Sequence, residues 1–398
     1  MNPYLETLQP YPFQKLAEIK QGITPPAALP HTPLSIGEPK HPTPQFIREA
    51  VAGQTQGLGS YPVTKGSEAL RQAIADWLVN RYGLAEHAFD IEHQVLPVNG
   101  SREGLFSFAQ AVINPDSKPL VVMPNPFYQI YEGAALLAGA EPHYLPCNAA
   151  NGFIPDYAAV ETSVWERCQL LYICSPGNPT GAVIDIETLQ QLIRLAEKHD
   201  FIITSDECYS EIYRDEDNPP PGLLQAAAQM GNTRFERCIV FNSLSKRSSV
   251  PGLRSGFVAG DKEIMKGYFL YSTYHGCAMP PHHQAASLVA WQDEEHVREN
   301  RRLYRQKLEA VHHILRDVMD VELPEAGFYL WPGTPISDIA FTQGLFQKEN
   351  ITVLPGSFLS REVNGSNPGS NRIRMALVAS VDECIDAAKR MRKYIESL

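Results

Sequence analysis

From residue 68 onward the chain alternates helix-patterned stretches with short apolar runs, and no other feature limits its fold so tightly. Glu68 to Tyr82 has a helical pattern, Val95 to Val98 is strand-like, and Glu103 to Ile113 is helical again. Leu120 to Met123, Leu170 to Cys174, Phe201 to Thr204 and Cys238 to Phe241 are further strand candidates, with helical stretches such as Glu187 to Lys198 between them. Strands that are apolar throughout bury both faces, and strands separated by helices cross over before pairing. The expectation is an α/β fold whose mostly parallel central sheet is covered by helices. Ligands in such sheets bind beyond the carboxyl ends of the strands.

Three regions follow from changes in pattern. Residues 1–46, with Pro25, Pro26, Pro30, Pro33 and Pro39, read as an extended arm that joins part of a smaller domain. Residues 47–285 form the large domain. Residues 286–398 form a small α+β domain, with a long charged helix from Asp293 to Met319, short strand patterns and a closing helix from Val381 to Ile395.

The formal charge of −11 argues against nucleic acid or an anionic membrane as partner, because both need a basic face. No apolar stretch approaches the length of a bilayer span, and the N-terminus lacks the basic and apolar regions of a signal peptide, so a cytoplasmic location is expected. The seven cysteines are scattered without C-x-x-C pairs, a spacing that suggests neither a disulfide framework nor a metal site.

The polar motifs sit just past the predicted strands. Lys246 follows Cys238 to Phe241, with Ser243 and Ser245 before it and Arg254 after it. A lysine in a loop is ordinarily a solvated charge, but these neighbours make a place to hold a phosphate beside an amine. An amine forms a Schiff base with an aldehyde, and pyridoxal 5'-phosphate carries both an aldehyde and a phosphate. Ser101 and Arg102 open a helix after Val95 to Val98, where they serve either as turn and cap residues or as a phosphate cradle. Ser175 to Gly181 is a proline-glycine turn that also positions the Asn178 amide.

Asp206 either caps the next helix or pairs with a pyridinium nitrogen, and Tyr209 follows it. Tyr128 either packs in the core or lies against a planar cofactor. Arg372 and Arg374 share a strand face, suited to gripping a carboxylate or to a surface ion pair. Each motif alone is ambiguous. Together they supply different parts of one pyridoxal phosphate site.

On these residues the chain resembles the class I and II aminotransferases, the fold-type I pyridoxal phosphate enzymes, over nearly its whole length. The matching runs are Leu34 to Pro39, Ser175 to Gly181, Ser243 to Gly256 and Arg372 to Leu377. The resemblance implies that Lys246 forms the Schiff base and shuttles the Cα proton, that Asp206 pairs with the ring nitrogen, and that Asn178 and Tyr209 bond the ring hydroxyl. Tyr128 would stack on the ring, while Ser101, Arg102, Ser243, Ser245 and Arg254 would bind phosphate. Arg374 and the backbone at Gly37 would hold the substrate α-carboxylate. The resemblance also implies a homodimer in which Tyr61 reaches the neighbouring subunit's cofactor.

A narrower likeness is to the succinyldiaminopimelate aminotransferases of bacterial lysine synthesis. It rests on Met1 to Leu5, Leu8 to Phe13, and the runs Ser245 to Ser248 and Arg254 to Gly260. It implies N-succinyl-L,L-2,6-diaminopimelate as donor and 2-oxoglutarate as acceptor. No arginine lies between Tyr268 and Gln284, where some aspartate aminotransferases place one for a distal carboxylate. Arg102 is the candidate for that task, with an outward-facing surface charge as the alternative. Aspartate or aromatic aminotransfer, or C–S lysis, are the other activities open to such a site. A regulatory module would need a basic DNA-binding extension, for which the chain has no room before the domain begins.

Overall fold

The central sheet owes its shape to strands whose two faces are both buried. In the computed structural model, which describes all 398 residues, it has seven strands. Numbered after β1 (Thr32–Pro33), which lies elsewhere, these are β2 (Val95–Val98), β3 (Leu120–Asn125), β4 (Glu141–Pro146), β5 (Cys168–Cys174), β6 (Ile202–Asp206), β7 (Cys238–Ser243) and β8 (Gly256–Gly260). Their order across the sheet is β2-β8-β7-β6-β5-β3-β4. β4, β3, β5, β6 and β7 run parallel, and β8 is antiparallel to both of its neighbours. Alternate side chains enter opposite cores. Val122, Leu171, Ile203 and Val240 pack on one side with Trp77, Leu192 and Trp291, while Val121, Leu170, Ile239 and Phe241 pack on the other with Phe108, Tyr131 and Tyr268.

A third core lies toward the C-terminus. The helices Glu295–Leu315, Asp338–Glu349 and Val381–Ile395 cover two small sheets. Their strands are β1 and, in chain order, β9 (Tyr329–Leu330), β10 (Ile351–Thr352), β11 (Leu354–Pro355) and β12 (Ile373–Ala376). One sheet pairs β1 in parallel with β10, and the other has the order β11-β12-β9. Leu34 is fully buried in this core, and its carbonyl accepts from the Ala376 N–H at 2.6 Å. No helix is long and apolar enough to cross a membrane.

The expectation of an extended arm across the first forty residues is corrected here. Pro12–Lys20 is an α-helix with proline at its first position, where the ring's fixed φ and missing N–H cost nothing. Phe13, Leu16 and Ile19, at helical spacing, pack with Trp331, Leu354, Phe358 and Leu359. The proline-rich stretch begins only after this helix, so the arm is extended in its second half alone.

Leu16→Ala is expected to cost about 2 kcal/mol, the low end for a buried leucine because the helix lies at the surface. A lowered thermal midpoint of the folded protein would show it. An unchanged midpoint would mean that the helix is not docked as described.

Candidate active site

In-register pairing brings the C-terminal ends of the parallel strands to the same edge of the sheet. Cys174 lies opposite Asp206, and Asp206 opposite Phe241, so the segments that follow β5, β6 and β7 open into one cleft of about 620 Å³. Its lining includes Ser101, Arg102, Tyr128, Asn178, Asp206, Tyr209, Ser243, Ser245, Lys246, Arg254, Gly37 and Arg374. Tyr61 is fully exposed and lines no part of its own chain's cleft.

At one end of the cleft, hydroxyls and a guanidinium converge. The Ser245 N–H donates to Ser243 Oγ at 3.1 Å, and Ser243 Oγ donates to the Ser255 carbonyl at 3.1 Å. Arg254 is anchored by one donation to the Pro251 carbonyl at 2.9 Å. Its guanidinium lies against Gly100, where a Cβ would overlap Nη2 and where φ is +86°. Only glycine combines that backbone with the approach. The helix Ser101–Val112 starts at this point, so its first N–H groups add donors.

A buried carboxylate and a partly buried amine face the middle of the cleft. Asp206 is 4% exposed; it accepts from the Tyr131 hydroxyl at 2.7 Å and from the Cys208 N–H at 3.3 Å. Burial pushes its carboxyl up, against those two donors. Lys246, on the short helix after β7, donates to the Gly37 carbonyl. Burial, with the Arg374 guanidinium adding to it, lowers its amine to about 8.

At the other end, Arg374 donates to Asn178 Oδ1 at 3.0 Å and to the Ser35 carbonyl at 2.8 Å, and its buried Nε has no partner. Arg372 is not beside it. Its guanidinium donates to the Trp331 carbonyl at 2.8 Å, pairs with Asp320 at 3.1 Å and lies 4.9 Å from the Phe153 ring centroid. The expected shared face fails because the regular strand begins only at Ile373, so its alternation does not reach back to Arg372.

Arg102 does face the cleft. Its Nε donates to the Tyr128 hydroxyl at 2.7 Å and its Nη2 to the Tyr11 hydroxyl at 3.2 Å, and no carboxylate pairs with it.

A model of the family described as "Aminotransferase class I and II" matches residues 30–388. The chain belongs to the class I and II aminotransferases. It is similar to an aminotransferase from Neisseria meningitidis Z2491 of known structure, with 51% identity, a TM-score of 0.93, and 98% of this chain and 99% of that one covered. It is also similar to an LL-diaminopimelate aminotransferase of Nitratidesulfovibrio vulgaris strain Hildenborough, at 31% identity over 98% of this chain and 97% of that protein. A structure described as a probable N-succinyldiaminopimelate aminotransferase from Thermus thermophilus matches at 26% identity and a TM-score of 0.82, covering 96% of this chain and 100% of that one.

The chain is thus an aminotransferase, and the cofactor of its family is pyridoxal phosphate. The donor set of the cleft fits that molecule. An anion cradle at Ser101, Ser243, Ser245 and Arg254, a buried carboxylate and a partly buried amine of lowered pKa match its phosphate, ring nitrogen and aldehyde.

Four groups in the site escaped the sequence reading. Tyr131 donates to Asp206, Tyr329 lies 2.9 Å from the Tyr209 hydroxyl, Tyr11 holds Arg102, and the Ser35 carbonyl holds Arg374. Pro12, a proline at a helix start, was the one signal that could have placed Tyr11 as the end of a docked element.

Gly100→Ala is expected to displace Arg254 and to weaken pyridoxal phosphate binding at least about tenfold, the scale of one lost charge-assisted hydrogen bond. Absorbance titration of the apoenzyme measures it. Unchanged affinity would remove Arg254 from the phosphate cradle.

Proposed function

We propose that this aminotransferase uses N-succinyl-L,L-2,6-diaminopimelate as donor and 2-oxoglutarate as acceptor. The observation that carries the reading is the pair of guanidiniums facing one cleft. Arg374 has an unpartnered buried Nε, and Arg102 is held by two tyrosine hydroxyls with no carboxylate of its own. Such a cleft suits substrates with a carboxylate at each end. The names of the Thermus and Nitratidesulfovibrio relatives support the same substrate class, and the latter favour free LL-diaminopimelate as a second donor to be compared.

Bound pyridoxal phosphate supplies an aldehyde for an amine and a ring that takes up the electron pair left when a Cα proton departs. Ser101, Arg102 through its backbone, Ser243, Ser245 and Arg254 would hold the phosphate. Asp206 would keep the ring nitrogen protonated, with Tyr131 and the Cys208 N–H fixing the carboxylate. Tyr128 would lie against the ring, and Asn178 and Tyr209 would bond its hydroxyl. Arg374, with the backbone at Gly37, would orient the α-carboxylate so that the Cα proton faces Lys246.

Lys246 would act as covalent anchor and then as base, and only its neutral form does either. At pH 7 an amine lowered to about 8 is neutral in about one molecule in ten, against about three in ten thousand for an ordinary lysine. Tyr61, together with exposed Leu58 and Val63, suits a face covered by a second copy, so we propose a homodimer with Tyr61 serving the other subunit's cofactor. A cytoplasmic location belongs to the same proposal.

Borohydride reduction of the holoenzyme is expected to fix the cofactor to Lys246, and Lys246→Ala to retain cofactor but lose turnover. Because the amine must lose its proton, the apoenzyme's rate of covalent capture should rise with pH below about 8 and level off above it. A rate still climbing toward the ordinary lysine range would contradict the lowered pKa.

Arg102→Met tests the substrate reading. It is expected to cost ~1.5–3 kcal/mol in kcat/KM for 2-oxoglutarate and almost nothing for pyruvate, which has no distal carboxylate. Equal losses would assign Arg102 to the cofactor or the fold. Initial rates with succinylated and free diaminopimelate decide between the two donors.

A further inference from the structure

The geometry points to a second site, outside the transamination machinery, at Glu103, His275 and Cys277. We propose that these three side chains bind one zinc ion per chain. Cys277 Sγ lies 2.8 Å from His275 Nδ1, and that same nitrogen lies 3.8 Å from Glu103 Oε1. One donor atom from each residue lies within 4.8 Å of the other two. Zinc takes sulfur at about 2.3 Å and imidazole nitrogen or carboxylate oxygen at about 2.0–2.2 Å, so tetrahedral ligands sit roughly 3.4–3.6 Å apart. The observed separations bracket that value. Opening the Sγ–Nδ1 gap by about 0.7 Å and closing the Nδ1–Oε1 gap by about 0.4 Å would bring three ligands onto one ion, and the exposed side of His275 leaves room for water as the fourth.

A further observation favours a cation. Glu103 Oε2 is buried and makes no hydrogen bond, although Ser107 donates to Oε1 at 3.2 Å. A buried carboxylate oxygen needs a partner, and a bound cation is one that would serve it. The opposing reading is a cysteine nucleophile with histidine as base and glutamate as orienting group. Such a triad needs thiol and carboxylate on opposite ring nitrogens, whereas both lie toward Nδ1. Moreover, the thiol is pushed up to about 11 by burial and then by the Glu103 carboxylate, the reverse of activation.

The thiolate, imidazole and carboxylate combination selects zinc over magnesium or calcium, which prefer all-oxygen shells. The sequence offered no zinc spacing because the ligands come from two elements. Glu103 is in the first turn of Ser101–Val112, and His275 and Cys277 end and follow the helix Lys262–His275. The Asn99 amide donates to the Cys277 carbonyl at 3.0 Å, which holds the loop over the helix start.

The test is equilibrium dialysis of metal-stripped holoenzyme against Zn²⁺, with metal analysis. Wild type should retain one more zinc per chain than His275→Ala and Cys277→Ser, and each variant should bind at that site at least about tenfold more weakly, since even a changed outer contact costs about that much. Cofactor absorbance and the transamination rate without zinc should be unchanged in both variants, which separates loss of the site from loss of the fold. If Cys277→Ser fails to fold, His275→Ala decides, because its side chain is partly exposed. Equal zinc uptake by wild type and His275→Ala would overturn the proposal. So would alkylation of Cys277 that zinc does not slow.

Discussion

The register that pairs β5, β6 and β7 is the constraint on which the rest depends. Parallel strands pair with evenly spaced bonds, and the register sets the ends of β5 and β6, Cys174 and Asp206, at one level, with β7 running two residues past Phe241 to Ser243. A one-residue slip would turn every side chain to the opposite face. Val122, Leu171, Ile203 and Val240 would then leave one packed core for the other, so hydrophobic burial fixes the register. That same register carries Asp206 and the Ser243 to Lys246 turn to one opening.

Within that opening, burial supplies chemistry that exposure would not. A carboxyl in water is ionised and a lysine is charged; burial pushes Asp206 up and Lys246 down. The fold compensates the two unequally. Asp206 receives two donors, which oppose the effect of burial, whereas Lys246 has a single carbonyl contact and Arg374 nearby.

Strands buried on both faces were legible in the sequence because continuous apolar runs have few other uses. Val95–Val98 and the helices Glu68–Tyr82 and Val381–Ile395 match at both ends. β4 was missed because it is an edge strand, with exposed ends and two prolines, and β8 because Gly256-Phe257-Val258-Ala259-Gly260 is short and bounded by glycines. In the site, residues following strands were legible, since position along the chain predicts where such groups gather. Tyr131 and Tyr329 were not, because their hydroxyls matter only through contacts made across the fold.

The N-terminal helix shows why that distinction matters for specificity. Tyr11, Pro12 and Phe13 line the cleft beside Leu354 and Leu359, which pack with Leu16. The wall that reaches Arg102 is therefore assembled from the two ends of the chain: Tyr11 from one, and the β11 segment that docks its helix from the other. Arg102 takes its orientation from Tyr11 and Tyr128 together, so the direction in which it presents its charge depends on how the first helix is seated. On the proposed reading, groups fixed to the central sheet would do the chemistry while a guanidinium steered by a surface helix would read the distal carboxylate, and the two could change independently. Such a separation would let one cofactor site serve different amino acids.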